Sequence, residues 1–152
     1  MLLACLWLFL ASSPGFAAPA ASVLIRFDNP KAFSEFRIDD LDEYQTAKAF
    51  AAEMSKAVVP ILAKKAPGGT LSVTFTDVDL GRNWRPVRMS FNYRLQDNSG
   101  RILAEGATGI TDTSNPLLYT ERSLPYRQFY TGRVAMERWV RSLNPAPAYT
   151  EK

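Results

Sequence analysis

Asp77 and Asp79 are the residues of this chain whose type and spacing best suit chemistry. They stand one residue apart in Thr74-Phe75-Thr76-Asp77-Val78-Asp79-Leu80, so a strand would carry both carboxylates on one face, about 7 Å apart. Glycoside hydrolysis uses paired carboxylates at about 5–9.5 Å, flanking a cleft. With Gly81 and Asn83 the pair also resembles part of a calcium loop, Asp-x-Asp-x-x-x-Asn. That match breaks at three positions. Gly81 stands where a third oxygen ligand belongs, Arg82 where the turn glycine belongs, and Arg88 where the bidentate glutamate belongs. The competing role is structural, with the two carboxylates pairing with Arg82, Arg85 or Arg88 to fix a strand end.

Other chemistries are excluded by what is missing. The sequence has no histidine, which removes Ser-His-Asp and Cys-His catalysis and histidine-ligated metals. Its single cysteine, Cys5, permits no intrachain disulfide. No cofactor is implied. The net charge of +3 comes from scattered rather than clustered Lys and Arg, which speaks against a nucleic-acid partner.

Binding is the second class of chemistry. Tyr119, Glu121, Arg122, Tyr126, Arg127 and Tyr130 form an aromatic-basic cluster downstream of Asp112, and Tyr and Arg are enriched at protein interfaces. Arg88 and Arg94 fall on the polar side of a strand, where they suit an acidic partner or envelope polymer.

These candidates need elements to position them. Val87 to Gln96 alternates apolar odd positions with polar even ones, which predicts a strand with one wet face. Asp97-Asn98-Ser99-Gly100 is a turn, and Arg101 to Thr111 returns as its partner strand. Thr70 to Leu80 is another strand, with Leu71, Val73 and Phe75 on one face and Asp77 and Asp79 continuing that face. Ser22 to Phe27 is a short strand whose near-continuous apolar character predicts burial within the sheet. Phe33, Phe36 and Ile38 anchor the loop that follows. A helix then begins, capped by Asp40 with Glu43 completing a capping box. Its apolar stripe is Leu41, Tyr44, Ala47, Ala51, Met54, Val58 and Ile61, and Pro60 is expected to kink it or end it near Val59. Asp112 to Ser123 is a long irregular segment, and long loops without structure of their own tend to be functional. Ser123 caps a second helix patterned by Tyr126, Phe129, Tyr130, Arg133, Met136, Val140 and Leu143, with Trp139 at its flank.

The N-terminus reads as an export signal. Met1 to Ala21 is uncharged, Leu2 to Ala11 is too short to span a bilayer, and small residues offer cleavage after Ala17 or Ala20. Leu2-Leu3-Ala4-Cys5 matches a lipoprotein box in letters, but no hydrophobic segment precedes it, which argues against anchoring through Cys5. Residues 1–20 are thus a signal peptide, 21–144 a single α+β domain, and 145–152 a loose Pro/Ala-rich tail. The signal is the chain's only expected membrane contact. A mature chain without cysteine suits the bacterial periplasm, since it needs no oxidative folding.

Several short motifs resemble one family. Thr74 to Leu80 is similar to its Asp-x-Asp-Leu strand, and Tyr93-Arg94-Leu95-Gln96-Asp97 with Gly100 to its Tyr-x-Leu-x-Asp hairpin. Ile110-Thr111-Asp112 matches its strand-ending Asp, Met136-Glu137-Arg138-Trp139 its closing helix, and Phe27-Asp28-Asn29-Pro30 also fits. The family is the exported bacterial one catalogued as domain of unknown function 3016. The resemblance implies export and fold, and supplies no activity.

The expected architecture is α+β, β-α-β-β-β-α, a four-stranded mostly antiparallel sheet with two helices on one face. The expected function is that of a non-catalytic accessory or interaction protein of the cell envelope, binding a protein or polymer. The alternative is a carboxylate- or divalent-metal-dependent hydrolase centred on Asp77 and Asp79.

Overall fold

Three consecutive strands, each hydrogen-bonded to the next, make most of the sheet: β2 (Thr70–Asp79), β3 (Val87–Gln96) and β4 (Ile102–Asp112). The computed structural model describes residues 20–38, 40–81, 85–112 and 129–144. In β3, Val87, Met89, Phe91 and Leu95 are buried while Arg88, Ser90, Asn92 and Arg94 are exposed, the alternation of a strand covered on one face. The turn after β3 closes as its residues dictate. Asp97 donates its N–H to the Arg101 carbonyl, Gly100 donates back to the Asp97 carbonyl, and Gly100 sits at φ 84°, where a side chain would be strained.

β1 (Ser22–Phe27) lies parallel to β2 and outermost in the order β1-β2-β3-β4. This corrects the expectation of a strand buried within the sheet. Only Val23, Ile25 and Phe27 pack toward the core, and Leu24 on the other side is 49% exposed. A run of apolar letters does not distinguish an interior strand from an edge strand that is covered on one side.

The helices cover one face. α1 (Glu43–Lys65) is capped by Asp42 rather than Asp40. Asp42 Oδ1 accepts the Gln45 N–H at 2.7 Å, and Gln45 Oε1 accepts the Asp42 N–H at 3.0 Å. Its buried side comprises Thr46, Ala47, Phe50, Met54, Val58, Ile61 and Leu62. Tyr44, expected inside, is 56% exposed with the Lys31 ammonium over its ring, and Phe50 takes the interior place. The helix also continues through Pro60 to Lys65. Pro60 and Lys56, whose carbonyl loses its donor, both lie on the exposed side, while Ile61 and Leu62 hold the next turn against the core. No helix among the described residues is long and apolar enough to cross a membrane. α2 (Tyr130–Ser142) packs beside α1, and Lys65 Nζ donates to the Leu143 carbonyl at 2.6 Å, tying the two helix ends together.

Aromatic rings fill the space between helices and sheet. Phe75 meets Phe27, Phe50 and Phe91 at centroid distances of 5.4, 5.5 and 5.3 Å, and Phe91 meets Trp139 of α2 at 4.7 Å. Such edge and stacked contacts add to the burial of each ring. The fold is therefore α+β, with a four-stranded mixed sheet and both helices on one side.

Candidate functional site

The face of the sheet opposite the helices is lined by rows of polar side chains. The register places Ser22, Thr70, Gln96 and the exposed Ile102 in one row, Leu24, Ser72, Arg94 and Glu105 in the next, and Arg26, Thr74, Asn92 and Ala107 in a third, so Leu24 and Ile102 are apolar points on an otherwise mostly polar face. Ser22 and Thr70 share a hydroxyl–hydroxyl bond of 2.9 Å, and Arg94 Nε donates to Glu105 Oε2 at 3.0 Å. Short hydroxyl and amide groups between arginines offer many donors and acceptors on this face. This face suits recognition of a polar protein surface or polymer.

Asp77 and Asp79 belong to this side of the sheet, not to the side of Leu71, Val73 and Phe75. Between Phe75 and Asp77 the register shifts by a β-bulge at Thr76, after which Asp77 pairs with Ser90 and Asp79 with Arg88. The bulge turns Val78 and Leu80 inward instead. Both carboxylates hold local structure. Asp77 Oδ1 accepts the Ser34 N–H at 3.1 Å, while Asp79, only 3% exposed, accepts the Gly81 N–H at 2.9 Å and Arg88 Nη2 at 3.4 Å. Next to Ser34, Glu35 has a positive φ of 45° and forms an ion pair with Arg85. The Glu35 hydrogen bond and charge hold the Arg85 guanidinium above its ordinary pKa. The loop after β1 is thus fastened to the far end of β2 and to the β2–β3 connection. Among the described residues, no three His, Cys, Asp or Glu side chains gather as a metal-holding group.

Asp112 ends β4 on the helix-covered side, opposite Val87, and accepts Arg138 Nη1 at 3.1 Å. Tyr130 opens α2, with the Arg133 guanidinium 5.6 Å from its ring centre. Of the expected binding residues, Arg88 and Arg94 share the open face but stand six residues apart on β3, about 20 Å, each with its own carboxylate partner, whereas Asp112 and Tyr130 lie elsewhere. Tyr119, Arg122, Tyr126 and Arg127 lie outside the described residues, as do Arg82 and Trp84. The open face also holds Arg26, Ser72, Thr74 and Glu105, which sequence reading passed over. The alternating Thr70-x-Ser72-x-Thr74 was the available signal.

A family model described as a protein of unknown function, domain of unknown function 3016, matches residues 21–142. The chain belongs to that family. No curated protein matches it. In this domain of unknown function 3016, the motifs that carry the resemblance meet one another. The hairpin Tyr93 stands edge-on to the helix Trp139 at 5.1 Å, over Gly106, where an added Cβ would touch the Tyr93 ring at 3.4 Å. The strand-ending Asp112 binds Arg138, the neighbour of that Trp. The hairpin Asp97 accepts the Ser99 hydroxyl at 2.6 Å, together with the Ser99 and Arg101 N–H groups. These motif residues hold the fold.

Proposed function

We propose that this chain is a non-catalytic interaction module of the cell envelope, exported to the periplasm through its N-terminal signal, which binds an envelope protein or polymer through the open face of its sheet. One observation carries the reading: both helices lie on one side, and the other side bears an ordered array of Ser, Thr, Asn and Arg. The engagement of Asp77 and Asp79 with Ser34, Gly81 and Arg88 supports a structural role for them. Support for export is the apolar run Leu2 to Ala11, followed by small residues at Ala17 and Ala20.

A photo-crosslinking residue at Asn92, in the middle of the open face, tests the reading in cells expressing the tagged full chain. The expected result is one dominant envelope protein or glycan adduct by mass spectrometry, lost with Arg94→Glu. Adducts of equal yield from Asn92 and from the exposed Lys64 of α1 would overturn it. Fractionation of the same cells, with the mass of the mature N-terminus, tests export: a cytoplasmic chain retaining Met1 would refute that part.

A further inference from the structure

We propose that the outer edge of β1, with the groove beside it, takes an extended segment of an acidic partner protein as an added strand. This rim shares Leu24 and Arg26 with the open face, but its outward backbone groups and its groove against α1 do not depend on the reading above.

The backbone supplies the first reason. Ser22 donates its N–H to the Gly69 carbonyl and Asp28 donates to the Phe75 carbonyl, each at 2.9 Å. In a parallel ladder the bonding residues of an edge strand alternate, so the even-numbered residues of β1 face β2. The N–H and C=O groups of Val23, Ile25 and Phe27 therefore point outward, with no partner among the described residues. Natural sheets blunt such edges with prolines, bulges or charges. β1 keeps an unbroken register from Ser22 to Phe27, contains no proline, and carries one charge, Arg26.

The second reason is room. Beside this edge runs a groove of about 340 Å³, walled by Val23 to Arg26 on one side and by Ala51, Ala52 and Ser55 of α1 on the other. The small helix residues leave space where side chains of an added strand would go. Those next to Val23 and Ile25 would enter the groove, so they should be apolar. Those next to Leu24, which is 49% exposed, and Arg26 would lie on the open-face side.

Charge selects the occupant. Arg26 forms no ion pair among the described residues. Lys48 lies exposed one helical turn before Ala52. An aspartate or glutamate beside Arg26 completes the match. A second copy fits less well. Antiparallel pairing of two β1 edges about Ile25 sets Arg26 against Leu24 of the other copy and gathers both Arg26 and both Lys48 side chains at one seam.

The test uses the mature chain, isotope-labelled for amide NMR, and a capped peptide in which valine alternates with serine around one central glutamate. The expected result is amide shifts confined to residues 23–27 and 51–55, with slowed hydrogen exchange at Val23, Ile25 and Phe27. A lysine in place of the glutamate should weaken binding about tenfold, as should Arg26→Glu. Val23→Pro removes an outward N–H without touching the β2 ladder, and Ala52→Trp fills the groove from an exposed helix position. Each should abolish binding while the circular dichroism spectrum stays that of the parent. Absence of any shift at residues 23–27, or binding that survives both variants, would overturn the proposal. So would a dimer in light scattering that Ala52→Trp dissociates, which would assign the edge to a second copy.

Discussion

The two faces of the sheet share one backbone and differ in almost everything else. On the helix side, Phe75, Phe91 and Phe27 lock into a continuous aromatic core. One residue away, Thr74 and Asn92 stand on the open side with short polar side chains and no helix over them. Side chains on the first face are chosen by volume and shape, because the interior is close-packed. On the second face they are chosen by hydrogen-bonding capacity. A packed face and a polar face are thus written into alternate letters of the same strands, and substitutions in neighbouring positions should report on different properties.

The sharpest contrast should come from Phe75→Ala against Thr74→Ala. Removing a ring at the centre of the core costs about 3–5 kcal/mol, whereas the change at Thr74, half-buried on the uncovered face, should stay within about 1 kcal/mol. Urea unfolding monitored by circular dichroism measures both, and comparable losses would break the distinction between the faces. Asp112→Asn should come next, at about 1–3 kcal/mol, since it replaces a buried acceptor of Arg138. Its counterpart on the open face, Arg94→Ala, breaks an ion pair between half-exposed groups and should cost less than about 0.5 kcal/mol.

Two glycines sharpen the comparison further. Gly106 lies under the Tyr93 ring, and Gly106→Val should push that ring and Trp139 apart, at a cost of about 1–3 kcal/mol and with a change in Trp fluorescence. Gly109 faces the open side, with the nearest atom to an added Cβ at 3.8 Å, so Gly109→Val should be neutral or slightly stabilising. The smallest effect is expected at the hairpin. The Ser99 hydroxyl, followed by the Arg101 and Ser99 N–H groups, holds Asp97 below the usual carboxylate pKa. A carboxylate depressed in the folded state adds stability above its unfolded pKa and loses it as pH falls through the folded value. Ser99→Ala should raise the Asp97 pKa toward the ordinary range, read by carboxyl NMR, and should narrow the acidic pH range over which the hairpin stays closed.

Much of this arrangement was legible in the letters. The alternation of Val87 to Gln96, the Asp97–Gly100 turn and the β-α-β-β-β-α order all follow from local patterns, and local patterns are what a sequence displays directly. The misreadings arose where a distant contact or a single inserted residue decided the outcome. Thr76 is an ordinary strand residue by type, yet its bulge moves Asp77 and Asp79 to the other face. Tyr44 and Phe50 both fit a helical stripe, and only the position of Phe27 and Phe75 selects Phe50. Pro60 was open to reading as a kink or an end, because the packing of Ile61 and Leu62 that carries the helix on to Lys65 is tertiary. On the candidate site, Arg88 and Arg94 were found by parity alone. Arg26 was missed because its strand read as interior, and the bond between Asp77 and the Ser34 N–H spans chain segments that no spacing rule connects.

The position of β1 has a consequence for the order of assembly. β2, β3 and β4 are joined by adjacent connections, so their pairing closes short loops and can form early. β1 must instead wait for residues 28–69, α1 included, to bring it beside β2. It is the strand expected to dock last and to detach first, giving its amides the fastest native-state exchange of the four. A border that opens ahead of the rest would let the sheet trade one edge strand for another while the aromatic centre stays closed.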